Sequence, residues 1–520
     1  MRIALLSWES KHSIAVGGMG EHVSELAAAL AQRHHEVHVF TRQAIGQGTN
    51  DWIDGVYYHR CPFERHPDFL TETERMCDSF VWHFAAVESH LGSRFDIIHG
   101  HDWLSVRAMD QIKHRHGRHV VMTVHSTEFG RCGNEHWGGM SARIREQEWY
   151  GTYISERVIC VSDTFRREVQ QLYSVPWDKT DVIYNGVDPR RFDLRTDPRE
   201  ARARYEVGGG DPLVLFAGRM TQQKGPDLLL EAVPRVLAEH PRAKVVFAGE
   251  GALREPLQRR AQAMGAADVT RFVGHRTGRE LVELFKCADL VCVPSRNEPF
   301  GIVILEAWSA RKPVVVTRLG GPAEFVRHGD NGFSVADDST SISDGLCTVL
   351  ADRAGSRRMG RAGRRDVEEH FSWEHIAEQT ESVYHRVLGN GHAAKAIDTS
   401  TVTEMDAMAR SDKPNGSSSP IRPSRGDDDN QTRAAVASRR KKTEAVRLPS
   451  EPIPGETARS GFGPRTSINK PSELTDARIR ERAYLIYLRR GARPGNALED
   501  WLQAERELRE ELSAAVGGRS

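Results

Sequence analysis

Cysteine is scarce and poorly placed for bonding. The seven cysteines, Cys61, Cys77, Cys132, Cys160, Cys287, Cys292 and Cys347, are odd in number and never fall in a C-x-x-C spacing, so neither a structural zinc cluster nor a disulfide framework is expected. Long apolar runs are missing as well. No stretch of about 18 apolar residues occurs, which argues against a membrane-spanning helix. The opening MRIALLSWES carries an apolar run of strand length and lacks the features of an export signal. Charge of one sign is not in excess: 72 basic residues stand against 72 acidic ones, which speaks against holding a nucleic acid by bulk charge. These absences lead to the expectation of a reduced, cytoplasmic protein. What is present, 520 residues of which 39% are hydrophobic, suits two ordinary domains with chain to spare.

The organisation follows from hydrophobic period. RIALLSW reads as a strand, VGGMG as a glycine loop, and Val23, Leu26, Ala27 and Leu30 recur at the helical i, i+3, i+4, i+7 spacing. FDIIHGH, RHVVMTVH and ERVICVS are short apolar runs of strands buried on both faces. Helical segments separate them, which predicts an α/β domain with a doubly wound parallel sheet over 1–188. VIYNGVDPRRF is read as its closing strand and turn. PLVLFAGR, AKVVFAGEG, DVTRFVGH, ADLVCVPS and KPVVVT repeat the alternation and predict a second Rossmann-like domain over 189–371. Ser372 is a candidate N-cap for a helix over 372–388 that either closes the second domain or crosses back to the first. From 389 to 471 the chain turns to Ser, Pro, Gly and charge, a composition expected to form a disordered linker. Residues 472–514 then read as a small helical hairpin that packs on a protein partner or on the chain's own body.

Two loops carry the chemistry. GRMTQQKG follows a strand and precedes a helix, the position where open α/β sheets bind ligands. There Arg219 and Lys224 can offer a forked donor and a point charge to one phosphate, although a solvated loop with two surface cations has the same spacing. NEPFG occupies the same position later, before the helix IVILEAWSA. Unpaired amides of Phe300, Gly301 and Ile302 at that helix start make an anion cradle. Glu298 precedes the helix and Glu306 lies within it, so helical rise holds them roughly 10 Å apart. That is too far for a retaining carboxylate pair, whose members sit about 5 Å apart, and suits two acceptors on one extended hydroxyl-rich ligand. Taken singly, Glu298 is more simply an N-terminal cap and Glu306 a solvated helix residue.

HGHDW and TVHSTE end strands of the first domain with His101 and His125. Each alone is more simply structural, whereas together at strand ends they point to the cleft. No third metal ligand is apparent beside them, and the single DxD-like cluster, Asp427 to Asp429, lies in the linker. Arg219, Lys224 and a helix N-terminus would neutralise a phosphate without metal. The basic run KHRHGRHVV is read as a solvated turn, with peripheral contact to acidic lipid the less favoured alternative.

Together these segments resemble the retaining nucleotide-sugar glycosyltransferases of the glycogen-synthase and sucrose-synthase type, with the two-domain GT-B fold. WESKHSIAVGGMGEHVSELAAAL, HGHDW, VIYNGVD, GRMTQQKG and EPFGIVILE carry the resemblance over Met1 to Leu388, the last of them fitting the family's E-x7-E pattern. The resemblance implies a donor cleft in which Arg219, Lys224 and the amide of Gly18 bind a diphosphate. Glu298 would contact sugar hydroxyls near Phe300, Gly301 and Ile302, Glu306 would hold the ribose, and His125 and His101 would flank the transferring sugar. It also implies hexosyl transfer with retention, no metal, and no cofactor other than the nucleoside-diphosphate sugar donor. α-Glucan extension competes with glycosylation of a lipid or cell-surface saccharide. A phosphorylase or epimerase, and an inert nucleotide-sugar binding module, are the rival classes. The chain departs from a plain glycogen synthase in having Val16-Gly17-Gly18 where that family carries a KTGGL-type lysine. The C-terminal hairpin resembles a small bacterial domain of unknown function.

Overall fold

The computed structural model describes residues 1–389 together with Arg482, Ile486, Gln503, Ala504, Arg506, Glu507 and Leu508. Apart from Gly389, the linker expected at 389–471 lies outside the described residues, as does most of the expected hairpin at 472–514. Within the latter the described positions are helical, Ile486, Ala504 and Leu508 are buried, and Arg482 donates to Glu507 at 3.1 Å.

The first sheet consists of β1 (Arg2–Leu6), β2 (Glu36–Arg42), β3 (Asn50–Ile53), β4 (Val56–Cys61), β5 (Ile97–His101), β6 (His119–Val124), β7 (Arg157–Cys160) and β8 (Thr180–Val182), in the order β3-β4-β2-β1-β5-β6-β7-β8. All neighbours are parallel except β3, which pairs antiparallel with β4 at the edge. The second sheet consists of β9 (Leu213–Ala217), β10 (Lys244–Ala248), β11 (Thr270–Gly274), β12 (Leu290–Val293), β13 (Val314–Thr317) and β14 (Phe333–Val335), parallel throughout, in the order β11-β10-β9-β12-β13-β14. The central strands β1, β9 and β12 are apolar on both faces because helices cover both sides. The chain thus forms two Rossmann-like α/β layers of the GT-B kind.

The helix Trp373–Val387 packs on the first sheet, not the second. Trp373, Ile376, Ala377, Val383 and Tyr384 are buried in one cluster with Ile3, Leu5, Val23 and Leu26. Ser372 caps it by accepting from the His375 amide. Burying each of its large side chains contributes about 1.5–3 kcal/mol, enough to tie the end of the second domain to the first.

Two local expectations are corrected. The strand expected at VIYN ends at Val182. Beyond it Asn185 turns its side chain to His22, and Gly186 lies so close to Trp373 that an added Cβ would come within 2.9 Å of the indole. The basic run is not a solvated turn: Lys113 pairs with Glu156, and Arg118, only 8% exposed, makes a two-pronged contact with Glu88. All seven cysteines are free and buried. Among the described residues no helix is long and apolar enough to cross a membrane.

Candidate active site

The segments that follow β1, β7 and β8 meet those that follow β12 and β13 through a set of direct contacts. Ser162 donates to the carbonyl of Pro299 at 2.6 Å, Glu324 accepts the amides of Asp163 and Thr164 at the start of the helix Asp163–Tyr173, and Tyr184 donates to the same carboxylate at 2.9 Å. Asn297 reaches Glu168 at 2.9 Å. Gly18, exposed at the start of the helix Gly18–Gln32, stands directly against Ile302, whose Cδ1 would lie 3.1 Å from an added Cβ. A side chain at position 18 would therefore push against the helix that carries Glu306. Glu9 holds this glycine loop, accepting the amides of Val16 and Gly17.

The loops bearing Arg219, Lys224 and Glu298 form one unit. Lys224 donates to both carboxylate oxygens of Glu298 at 2.8 Å, and Ser295 donates to the same carboxylate at 2.9 Å. Arg296 adds a bidentate pair with Asp227, and its backbone amide donates a hydrogen bond to the carbonyl of Gln223. Lys224 and Glu298, expected to reach a phosphate and a sugar of one ligand, are paired with each other in this structure, where a nearly dry carboxylate needs a countercharge. Arg219 keeps only a long contact to Gln223, 3.5 Å, and is open to water in the cleft. Partial desolvation and the neighbouring Arg131 lower its pKa, while Glu298, Glu9 and Asp102 counter them. It is a cation poised for an anion.

Phe300 is buried, and Gly301, at φ 98°, makes the turn into the helix Ile302–Ser309 in a conformation that side chains rarely tolerate. The backbone behind Glu298 rests on Gly320 and Gly321, a pair that sequence reasoning passed over. Gly321 donates to the Glu298 carbonyl at 2.8 Å, and a Cβ on Gly320 would lie 2.1 Å from that oxygen. The signal was the Gly-Gly-Pro after β13, unreadable without knowing what it packs against. Glu306 is half-buried on the cleft side of its helix, not a solvated residue. Burial raises its carboxyl to about 7, with Arg191 opposing and Glu21 adding to the rise. Arg191 itself is paired with Glu21.

His101 and His125 come together, Nδ1 of one 3.1 Å from Nε2 of the other. Asp102, at φ 57° and buried, accepts the His125 amide at 2.6 Å and so fixes that loop. Loss of hydration lowers the His125 imidazole to about 3 and puts His101 well below its usual range, so both are uncharged at neutral pH. His99, the other histidine of HGHDW, serves packing, bonded to Tyr384 and Thr123 at 2.7 Å each. A third imidazole, His22, joins the pair, its ring 4.6 Å from that of His125 and its Nδ1 2.6 Å from Asn185. Sequence reasoning missed it because it lies on the helix after the glycine loop, far along the chain from both partners.

The match to known proteins agrees with this architecture. The model described as "Glycosyl transferases group 1" matches residues 197–366, that described as "Glycosyltransferase Family 4" matches 16–191, and "Protein of unknown function (DUF2934)" matches 475–510. An uncharacterised glycosyltransferase of Methanocaldococcus jannaschii is 37% identical over 394 residues, covering 74% of this chain and 98% of that protein. A glycogen synthase of Mycobacterium tuberculosis is 31% identical over 400 residues, covering 74% and 94%. In fold, the chain is similar to sucrose-phosphate synthase from Thermosynechococcus elongatus, with a TM-score of 0.64 at 24% identity over 75% of this chain and 99% of that one. With its two facing Rossmann-like layers and relatives aligned over nearly their whole length, the chain belongs to the group 1 glycosyltransferases of the glycogen-synthase-like, GT-B kind.

Proposed function

We propose that the protein transfers a hexosyl unit, with retention of anomeric configuration, from a nucleoside-diphosphate sugar to a hydroxyl acceptor, and that α-glucan extension is the form of that reaction to test first. The observation that carries this reading is the Arg219, Lys224 and Glu298 unit, together with Gly18 standing against Ile302 at the start of the helix that follows Glu298. Arg219 supplies a guanidinium with its donors largely unspent, and the exposed start of the glycine-loop helix supplies amides, so a diphosphate leaving group finds its charge matched from both domains. Lys224 sits on Glu298 and becomes available to phosphate only as the sugar engages that carboxylate. Glu298, Phe300, Gly301 and Ile302 then line the sugar side, and Glu306 accepts from ribose hydroxyls.

Neutral His101 and His125 orient sugar hydroxyls without adding a charge beside the departing phosphate. With no carboxylate placed as a nucleophile in this reading, the departing phosphate assists the incoming hydroxyl on the same face. Diphosphate charge is balanced by Arg219, Lys224 and backbone amides, so a metal is not needed for the transfer. The relationship to glycogen synthase supports glucan as the acceptor, and the departure at Val16-Gly17-Gly18 keeps lipid and cell-surface saccharides in the acceptor panel.

A screen of nucleoside-diphosphate sugars by release of nucleoside diphosphate, followed by mass and anomeric analysis of the product, tests the reading. One donor turned over, with its product in the donor's anomeric configuration, is the expected result. Phosphate-dependent release of sugar 1-phosphate, inversion, or donor binding without transfer to any acceptor would sink it.

A further inference from the structure

The meeting of His22, His101 and His125 is more than a packing accident. They come from the helix Gly18–Gln32, the end of β5 and the loop after β6, and one ligand atom from each lies within 4.8 Å of the other two. Nε2 of His22 is buried without a hydrogen-bond partner, a costly state for a polar atom unless something is meant to meet it. His22 Nδ1–H donates to Asn185 Oδ1 at 2.6 Å, which leaves its bare Nε2 turned away from Asn185. This is the arrangement by which an outer carbonyl fixes the tautomer of a metal-binding imidazole.

We propose that His22, His101 and His125 form a site for a divalent transition ion of the zinc class, and that the ion inhibits the enzyme by occupying the place of the donor sugar. Zinc binds imidazole nitrogen at about 2.0–2.1 Å, so nitrogens around a tetrahedral ion sit roughly 3.3 Å apart. Nδ1 of His101 and Nε2 of His125 already stand at 3.1 Å, where the ion would replace their hydrogen bond, and a small movement of His22 brings its bare Nε2 in to complete the triangle. Three imidazoles leave the fourth position open, and half-buried His125 turns that position to the cleft. Imidazole donors select zinc, copper or nickel over magnesium or calcium. The ion would sit apart from the cations that balance the diphosphate, and it would block the sugar without assisting the leaving group. The inhibitory consequence, though not the metal site, rests on the donor-cleft reading given above.

Co2+ titration of the full chain, stripped with chelator, is the direct test. Glu239, His240 and Cys347 also come within 4.8 Å of one another, so all variants carry Cys347→Ser to remove that second set. One Co2+ per chain with the intense visible absorption of a four-coordinate ion is expected. His22→Phe, which keeps a ring of similar size, should abolish the band, and Asn185→Ala should weaken binding about 10–100-fold. No band, or a band of unchanged affinity in His22→Phe with a normal melting transition, overturns the site. In turnover assays Zn2+ should raise the apparent KM for donor and leave kcat unchanged, and it should lose that effect in His22→Phe. Co2+ binding with donor KM unmoved by Zn2+ overturns the competition. A chain that turns over no donor at all removes the transferase reading, and the Co2+ titration then decides the metal site by itself.

Discussion

Replacing either member of the Lys224 and Glu298 pair should cost stability as well as activity, and replacing both should return only the stability. The Glu298 side chain is 5% exposed and that of Lys224 21%. Breaking a fully buried pair costs about 3–5 kcal/mol and an exposed one at most about 1 kcal/mol. With one partner nearly dry and the other a fifth open to water, each single variant is expected to lose about 2–3 kcal/mol. In Lys224→Met the orphan is the Glu298 carboxylate, held by Ser295 alone. In Glu298→Gln it is the ammonium. For a domain of this size about 2.5 kcal/mol lowers the melting temperature by roughly 5–10 °C.

The double variant Lys224→Met/Glu298→Gln leaves no unpaired charge, and its melt should return most of the way, with a coupling of about 2 kcal/mol in the cycle. Turnover should not return. Both singles and the double should release nucleoside diphosphate at least about 100-fold more slowly, because the charge that meets the leaving group and the acceptor that holds the sugar are gone. Calorimetric melts beside the donor-release assay read both quantities on the same samples. Strictly additive melting shifts would refute the pairing, and a double variant that regains turnover would refute the catalytic reading.

Three further outcomes follow from the geometry. Glu306 holds its proton to about pH 7 in the folded chain against 4.5 for an ordinary glutamate. The folded state is therefore the better proton binder between those values, and stability should fall by about 1.4 kcal/mol per unit as pH rises through the window, then level off. Glu306→Gln should lose that slope, and parallel melts of the two proteins at pH 5 and pH 7.5 would count against burial as the cause. Gly320→Ala places a Cβ 2.1 Å from the Glu298 carbonyl at φ 74°, so about 2–4 kcal/mol of strain and a raised donor KM are expected, whereas unchanged melting and KM would show that the backbone yields freely. Tyr384→Phe strands the buried Nδ1 of His99 and should cost about 1–3 kcal/mol in a melt, with no change in donor KM if the contact serves only to dock the last helix.

The two-layer α/β architecture was legible because buried parallel strands must be apolar throughout and the helices between them must show a 3.6-residue period, both local properties of the chain. The strand-loop-helix positions of GRMTQQKG and NEPFG were legible for the same reason: β9 and β12 end where the loops begin. The helix over 372–388 was legible without the surface it would cover, since an apolar face fits any apolar face of suitable shape. Only packing sent it to the first sheet, where Tyr384 meets His99 and Trp373 leaves room for nothing larger than Gly186.

What the sequence determined by itself was thus the class of fold and the loops in which the chemistry lies, because periodicity and turn residues act over a few positions. The tertiary structure alone decided partnership: that Lys224 rests on Glu298, that Gly320 backs the same residue, that Gly18 faces Ile302, and that His22 completes a trio with His101 and His125. These meetings join residues up to 284 positions apart. The Lys224 and Glu298 pair follows from the cost of leaving a buried charge unpaired, and the others from close packing, both set by the surroundings a side chain finds after the chain has folded.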